Sequence, residues 1–162
     1  MTLTYYLKIF NEEEKKKLVE TLNSQFGIKS IQGIVTMRGK ERLFLYKGSL
    51  TEKQIKNLEQ DIPIERVGVY FAKLMPGEGI RLSIEGSQIL ASQINKNTFE
   101  LSDKEAEEWM YGRDILLEDL KKKPKQGLLI MTHKGDFLGT GKVSENKIGN
   151  YVPKNRRLKN RS

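Results

Sequence analysis

Residues 139–142, Gly139-Thr140-Gly141-Lys142, have the form of the end of a phosphate-binding loop. Such a loop needs another glycine five positions before the second one and a hydroxyl residue after the lysine. Those positions hold Asp136 and Val143. The surrounding pattern is that of a strand leaving a hairpin, so the glycines are expected to allow close backbone packing in a small barrel. Asp114, Glu118 and Asp119 are the next grouping with chemical potential, yet no nucleophile pairs with them. A nuclease or modifying enzyme assembled from scattered carboxylates, Asp114 among them, stays open as an alternative. The single histidine, His133, stands beside a turn at a strand end, where a capping or exposed role is expected, and cannot alone make a multi-histidine metal site. The chain has no cysteine, which removes disulfides, thiolate zinc sites, iron–sulfur clusters and thiol nucleophiles together. No catalytic residue, metal or cofactor is expected.

The remaining chemistry is that of charge. The net charge is +8, and its placement matters more than its size. Residues 121–162 carry twelve Lys or Arg against two acids, a net of +10, while the preceding 120 residues hold 17 basic and 19 acidic side chains, a net of −2. A positive excess confined to one quarter of a chain attracts polyanions. Nucleic acid is preferred to membrane because no amphipathic apolar face accompanies the charge. Lys121-Lys122-Lys123 with Lys125 would alone be a solvated run. Lys142, Lys147, Lys154, Arg156 and Arg157 sit on or just after neighbouring strands, so folding would gather them onto one surface. Asn150 and Tyr151 are interleaved with them; an amide can read base edges and an aromatic ring can stack on an unpaired base. Tyr151 has an equally weighted alternative as an inward-packing strand residue.

The elements that must position these groups follow from periodicity. Apolar residues make up 37% and charged residues 31%, suiting a globular chain. No run approaches the roughly 20 apolar residues of a membrane span, the first residues lack the features of a signal peptide, and a cytoplasmic location is expected. Residues 2–10 alternate as a strand. Asn11 and Glu14 make a capping box for a helix with Leu18, Val19, Leu22 and Phe26 on one side, ending before Gly27. Residues 31–37 and 43–46 are expected to pair through a turn at Arg38-Gly39-Lys40. Ser49 to Glu52 reads as a second capping box, opening a helix with Ile55 and Leu58 inward, and residues 67–74 as a strand. Met75-Pro76-Gly77-Glu78-Gly79 is expected to separate an N-terminal domain, residues 1–75, from a C-terminal one, residues 76–162. Beyond it come a short helix within residues 83–92 and a third capping box, Ser102 and Glu105, whose helix carries Ala106, Trp109 and Met110 and stops at Gly112. Residues 127–132 and 137–143 flank Lys134-Gly135-Asp136 as a hairpin, residues 147–152 follow, and the basic terminus has little apolar content.

From Gly79 to Leu158 the chain resembles the PUA-like C-terminal domain of Sun-type RNA (cytosine-5) methyltransferases. The resemblance is carried, in order, by Arg81-Leu82-Ser83, by Leu101-Ser102 through Glu105-Ala106 with Trp109, and by Gly112-Arg113-Asp114-Ile115. It continues through Leu138-Gly139-Thr140-Gly141-Lys142 and Asn150-Tyr151-Val152-Pro153-Lys154, with Gly149 where a lysine is usual. The N-terminal half is similar to the small domain that precedes PUA modules. These enzymes attack cytosine with cysteine and bind S-adenosylmethionine on a Rossmann-like unit; this sequence has neither cysteine nor the corresponding Gly-rich turn. The resemblance therefore implies an α+β protein, a small N-terminal α+β domain followed by a PUA-like mixed β-pseudobarrel, that binds structured ribosomal or transfer RNA without catalysis. It places RNA between the loop at Gly112-Arg113 and the last strands. Lys142, Lys147, Lys154, Arg156 and Arg157 would neutralise phosphates, and Arg113, Asn150 and Tyr151 would contact nucleotides. An adaptor role toward a separate RNA-modifying enzyme or ribosome-assembly factor is the alternative.

Overall fold

The computed structural model describes residues 7–62, 64 and 66–159. Two five-stranded sheets are joined by a short helix. The first sheet has strand order β1-β2-β3-β4-β5 and is antiparallel throughout: β1 (Leu7–Ile9), β2 (Ile34–Arg38), β3 (Arg42–Tyr46), β4 (Val69–Met75) and β5 (Gly79–Leu82). Residues 2–6 of the strand expected at the start lie outside the described residues.

Helix α1 (Glu12–Phe26) starts where the sequence places it. The Asn11 side chain accepts from the Glu14 amide and the Glu14 carboxylate accepts from the Asn11 amide, at 2.8 and 3.1 Å. The helix buries Leu18, Leu22 and Phe26 against Val35, Leu43, Leu45 and Ala72, the face that strand alternation turns inward. Helix α2 (Glu52–Asp61) starts two residues later than expected for its cap. Thr51 and Gln54 form the capping box, not Ser49 and Glu52. Ile55 is buried as expected, while Leu58 is 41% exposed, so α2 buries only a narrow stripe.

The boundary expected at Met75–Gly79 falls inside the first sheet. Strands β4 and β5 pair antiparallel from Met75↔Gly79 to Ala72↔Leu82, so proline and glycine here make a hairpin turn. The chain then enters α3 (Ile84–Ile89), whose Ser83 cap accepts from the Gly86 amide.

The second sheet is mixed, with order β6-β8-β9-β10-β7, and curls into a PUA-like half-barrel. Its strands are β6 (Thr98–Glu100), β7 (Ile115–Leu116), β8 (Gly127–His133), β9 (Asp136–Val143) and β10 (Lys147–Gly149). Among the described residues only the β6–β8 pair is parallel. Helix α4 (Asp103–Met110) begins at the expected Ser102–Glu105 capping box and drops Trp109 into the second core beside Leu101, Leu129, Met131, Val143 and Ile148. The Trp109 indole N–H donates to the Leu138 carbonyl at 2.9 Å.

Helix α3 links the two halves. The Gly139 amide donates to Ser87 Oγ at 3.1 Å, and the Leu82 amide donates to Thr140 Oγ1 at 3.0 Å, both buried. Ile130 of β8 joins the first core. No described helix is long and apolar enough to cross a membrane.

Candidate nucleic-acid interface

The glycines of residues 139–142 pack backbone, as expected. A Cβ at Gly141 would lie 2.6 Å from Ile148 Cγ2 and 2.8 Å from Trp109 Cη2, so β9 passes under the indole only without a side chain there. His133 Nε2 sits 2.7 Å from Asp103 Oδ1 at the start of α4. That contact, with Lys134 at 3.0 Å, holds the Asp103 carboxyl below its ordinary range. Asp114 is held by its neighbours: Lys147 Nζ at 2.9 Å and the Asn150 amide at 2.9 Å. Partial burial pushes its carboxyl up, and these two donors outweigh that and keep it below the usual value. Among the described residues no group of three or more His, Cys, Asp or Glu is arranged to hold a metal ion.

Asn150 is the brace of the terminal segment. Its Nδ2 donates to the carbonyls of Trp109 (2.8 Å) and Arg113 (2.9 Å), and its Oδ1 accepts from the Val152 amide at 2.7 Å. Both amide hydrogens are thus committed to the last turn of α4 and the loop that follows it, leaving none for a base edge. Gly112 has φ +84 and faces Arg157: a Cβ there would run into the Arg157 side chain, whose Nε donates to the Val152 carbonyl at 2.9 Å. Gly112, Asn150 and Arg157 therefore lock the post-helix loop to the chain end.

The expected phosphate-binding cations lie at the surface, most of them beside a carboxylate. Arg113 pairs with Glu108 at 2.9 Å and lies 5.0 Å from the Tyr111 ring centroid; the Glu108 contact raises its pKa. Lys142 pairs closely with Glu78 of the β4–β5 turn, which likewise raises its pKa. Lys147 pairs with Asp114, and Arg156 pairs with Glu85 at 2.5 Å. Lys154 is exposed and has no ion-pair partner among the described residues, as is true of Lys121, Lys122, Lys123 and Lys125. Exposed pairs of this kind contribute about 0–1 kcal/mol each, so a phosphate can displace the carboxylate at modest cost.

Tyr151 is half-buried. The Arg81 guanidinium carbon sits 4.0 Å from its ring centroid. Behind the ring is a cavity of ≈ 40 Å³ lined by Tyr70, Ile84, Trp109, Leu138 and Thr140, which is room for water and too little for a base. Tyr151 also lines an open groove. Arg81 is the residue that the charge pattern passed over: it is isolated in sequence from the basic terminus, and the fold sets it against Tyr151.

Residues 96–158 match the family model of the methyltransferase RsmF PUA domain, and this segment is a PUA-like domain similar to that of Sun-type methyltransferases. Curated relatives are named ribosomal RNA small subunit methyltransferase F. The protein from Psychromonas ingrahamii is 28% identical over 145 residues, covering 88% of this chain and 28% of the relative. That from Shewanella piezotolerans is 32% identical over 150 residues, covering 90% and 29%. That from Aliivibrio fischeri is 33% identical over 102 residues, covering 63% and 20%. The chain thus spans less than a third of the length of these relatives.

Proposed function

We propose that this chain holds structured RNA in the cytoplasm, ribosomal RNA in the first instance and transfer RNA in the second, without itself catalysing a reaction on it. One observation carries the reading: the PUA match at residues 96–158 takes in residues 121–158, most of the stretch in which the basic excess is concentrated. The relatives' names supply the substrate class, since they act on small-subunit ribosomal RNA. In this reading Lys142, Lys147, Lys154 and Arg156 exchange carboxylate or solvent for phosphate, and Arg113 and Arg157 flank the loop at Gly112. Asn150 shapes the surface and does not read bases. The alternative is an adaptor role, in which a separate RNA-modifying enzyme or ribosome-assembly factor supplies the chemistry.

Fluorescence anisotropy with labelled small-subunit ribosomal RNA stem–loops tests this. Neutralising about five phosphates gives a log–log dependence of affinity on salt with a slope of roughly −4. Reversing Lys142, Lys147 and Lys154 to Glu together is expected to flatten that slope toward roughly −1 to −2. Binding that ignores salt, or that survives the triple reversal unchanged, refutes the proposal.

A further inference from the structure

Four cations stand in one row across the first sheet. Strand pairing sets Arg38 opposite Arg42, Arg42 opposite Lys73 and Lys73 opposite Arg81. Directly opposed residues project from the same face, with Cβ atoms about 4.5–5.5 Å apart. The neighbouring pair Leu43↔Ala72 faces the core, so the row lies on the face away from α1. Like charges set opposite one another destabilise a sheet. The row therefore does not serve the fold. Lys73 has Glu41 at 3.5 Å, while Arg42 and Arg66 have no ion-pair partner among the described residues.

The row opens onto the groove between β3–β4 and the terminal segment. Arg42, Arg66, Lys73, Arg81 and Arg156 line it against one acid, Glu85, which is paired with Arg156. Two aromatic rings are set among these charges. Arg81 stacks on Tyr151 and reaches the Tyr70 hydroxyl at 3.5 Å, and Tyr70 is tilted against Phe44 with centroids 5.8 Å apart. Cations that track a backbone beside rings that stack on bases are the two components of single-strand binding.

We propose that this groove binds a single-stranded RNA segment, with Arg42, Lys73 and Arg81 along its phosphates and the Tyr151 ring, backed by Arg81, under one base. The proposal rests on the RNA-binding reading above and extends it. Apart from Tyr151 and Arg156, these residues lie outside the matched segment 96–158, so the footprint crosses from the half-barrel onto the first sheet. A strand spacing of about 4.8 Å spreads Arg42, Lys73 and Arg81 over roughly 10 Å, enough to engage more than one phosphate. An acidic polypeptide would use the charge without the ring, and this separates the two classes of partner.

The test uses the full chain, fluorescein-labelled oligouridine as a single-strand probe, a ribosomal RNA stem–loop as a second probe, and thermal melts to confirm folding of each variant. Arg42→Glu with Lys73→Glu is expected to weaken oligouridine binding about tenfold or more. Tyr151→Leu is expected to weaken it about tenfold, the lower range for loss of one stacked base, and Tyr151→Phe to restore most of the affinity. Ultraviolet crosslinking of bound oligouridine is expected to map to Tyr151. Unchanged oligouridine affinity in the Arg42/Lys73 variant overturns the groove; if Lys147→Glu with Lys154→Glu still weakens stem–loop binding, the broader RNA reading stands. Loss of groove binding to competing polyglutamate, with Tyr151→Leu without effect, assigns the groove to an acidic polypeptide and likewise overturns it. Failure of wild-type protein to bind either RNA defeats the broader reading itself.

Discussion

Replacing Gly86 by Ala should destabilise the protein, although at most helical glycines the change has the opposite sign. Gly86 lies within α3 and its backbone φ is not in the left-handed region. With room for the methyl group, Ala there would stabilise by about 0.4–1 kcal/mol, through lower entropy of the unfolded chain. The structure leaves no room: a Cβ would collide with the Phe71 carbonyl oxygen and lie 2.9 and 3.1 Å from Phe71 C and Cα. These are backbone atoms of a central strand, and the same oxygen accepts from the Ser83 amide at 2.9 Å. Relief must come from α3 lifting off β4. Overpacking of this kind costs about 1–3 kcal/mol, and strain on the buried Gly139–Ser87 hydrogen bond adds about 1 kcal/mol. Against the entropic gain, the net is about 1–3 kcal/mol of destabilisation. For a chain of this size each kcal/mol moves Tm by about 2–4 °C, so a calorimetric melt should fall by roughly 2–12 °C. Amide exchange should show lost protection at Gly139, which donates to Ser87 of the same helix. A Tm that rises or holds, with Gly139 protection intact, would refute the claim that α3 is clamped between the two sheets by backbone contact.

Two further outcomes follow from the terminal brace. Asn150→Leu removes three hydrogen bonds to main-chain groups and should cost about 2–4 kcal/mol in urea unfolding, whereas Lys154→Ala, exposed and unpaired, should stay within about 0.5 kcal/mol; equal costs would show that Asn150 is not a brace. Because the Asp114 carboxyl is held below its ordinary value, its contribution is complete above the usual aspartate range and is lost as pH falls through the lowered value. Wild-type stability should therefore fall more steeply on acidification than that of Asp114→Asn, and coincident acid limbs would contradict the pairing with Lys147.

The parts of the fold that could be read from the sequence are those whose signals are local. The capping boxes at Asn11 and Ser102 fix helix starts within one turn, and the Lys134-Gly135-Asp136 hairpin needs only neighbouring residues. Strand β5 was hidden because Pro76 and the flanking glycines punctuate a hairpin turn as they would a linker, and only pairing with β4 distinguishes the two. Strands β6 and β7, of three and two residues, are too short to show a period. The basic surface was legible as composition, but its carboxylate partners were not: Glu78 meets Lys142 and Glu85 meets Arg156 across the fold. Nor could Asn150 be recognised as a brace, since its acceptors lie 41 and 37 residues away. The row from Arg38 to Arg81 is a property of register, which a single residue of slippage would erase.

The paired cations of the half-barrel also divide the protein's reach by distance. Arg113, Lys142, Lys147 and Arg156 each sit beside a carboxylate, so from beyond a Debye length of about 8 Å each resembles a small dipole. Within the half-barrel, long-range attraction then comes from the lysines at residues 121–125 and 154, which have no ion-pair partner among the described residues, and the paired groups act only after contact. A lone chloride or free nucleotide offers too little to separate the pairs, while a polymer presenting several phosphates at once can open them together. In the RNA-binding role proposed above, such a surface would discriminate by valency, staying quiet toward scattered anions and gripping a chain of them.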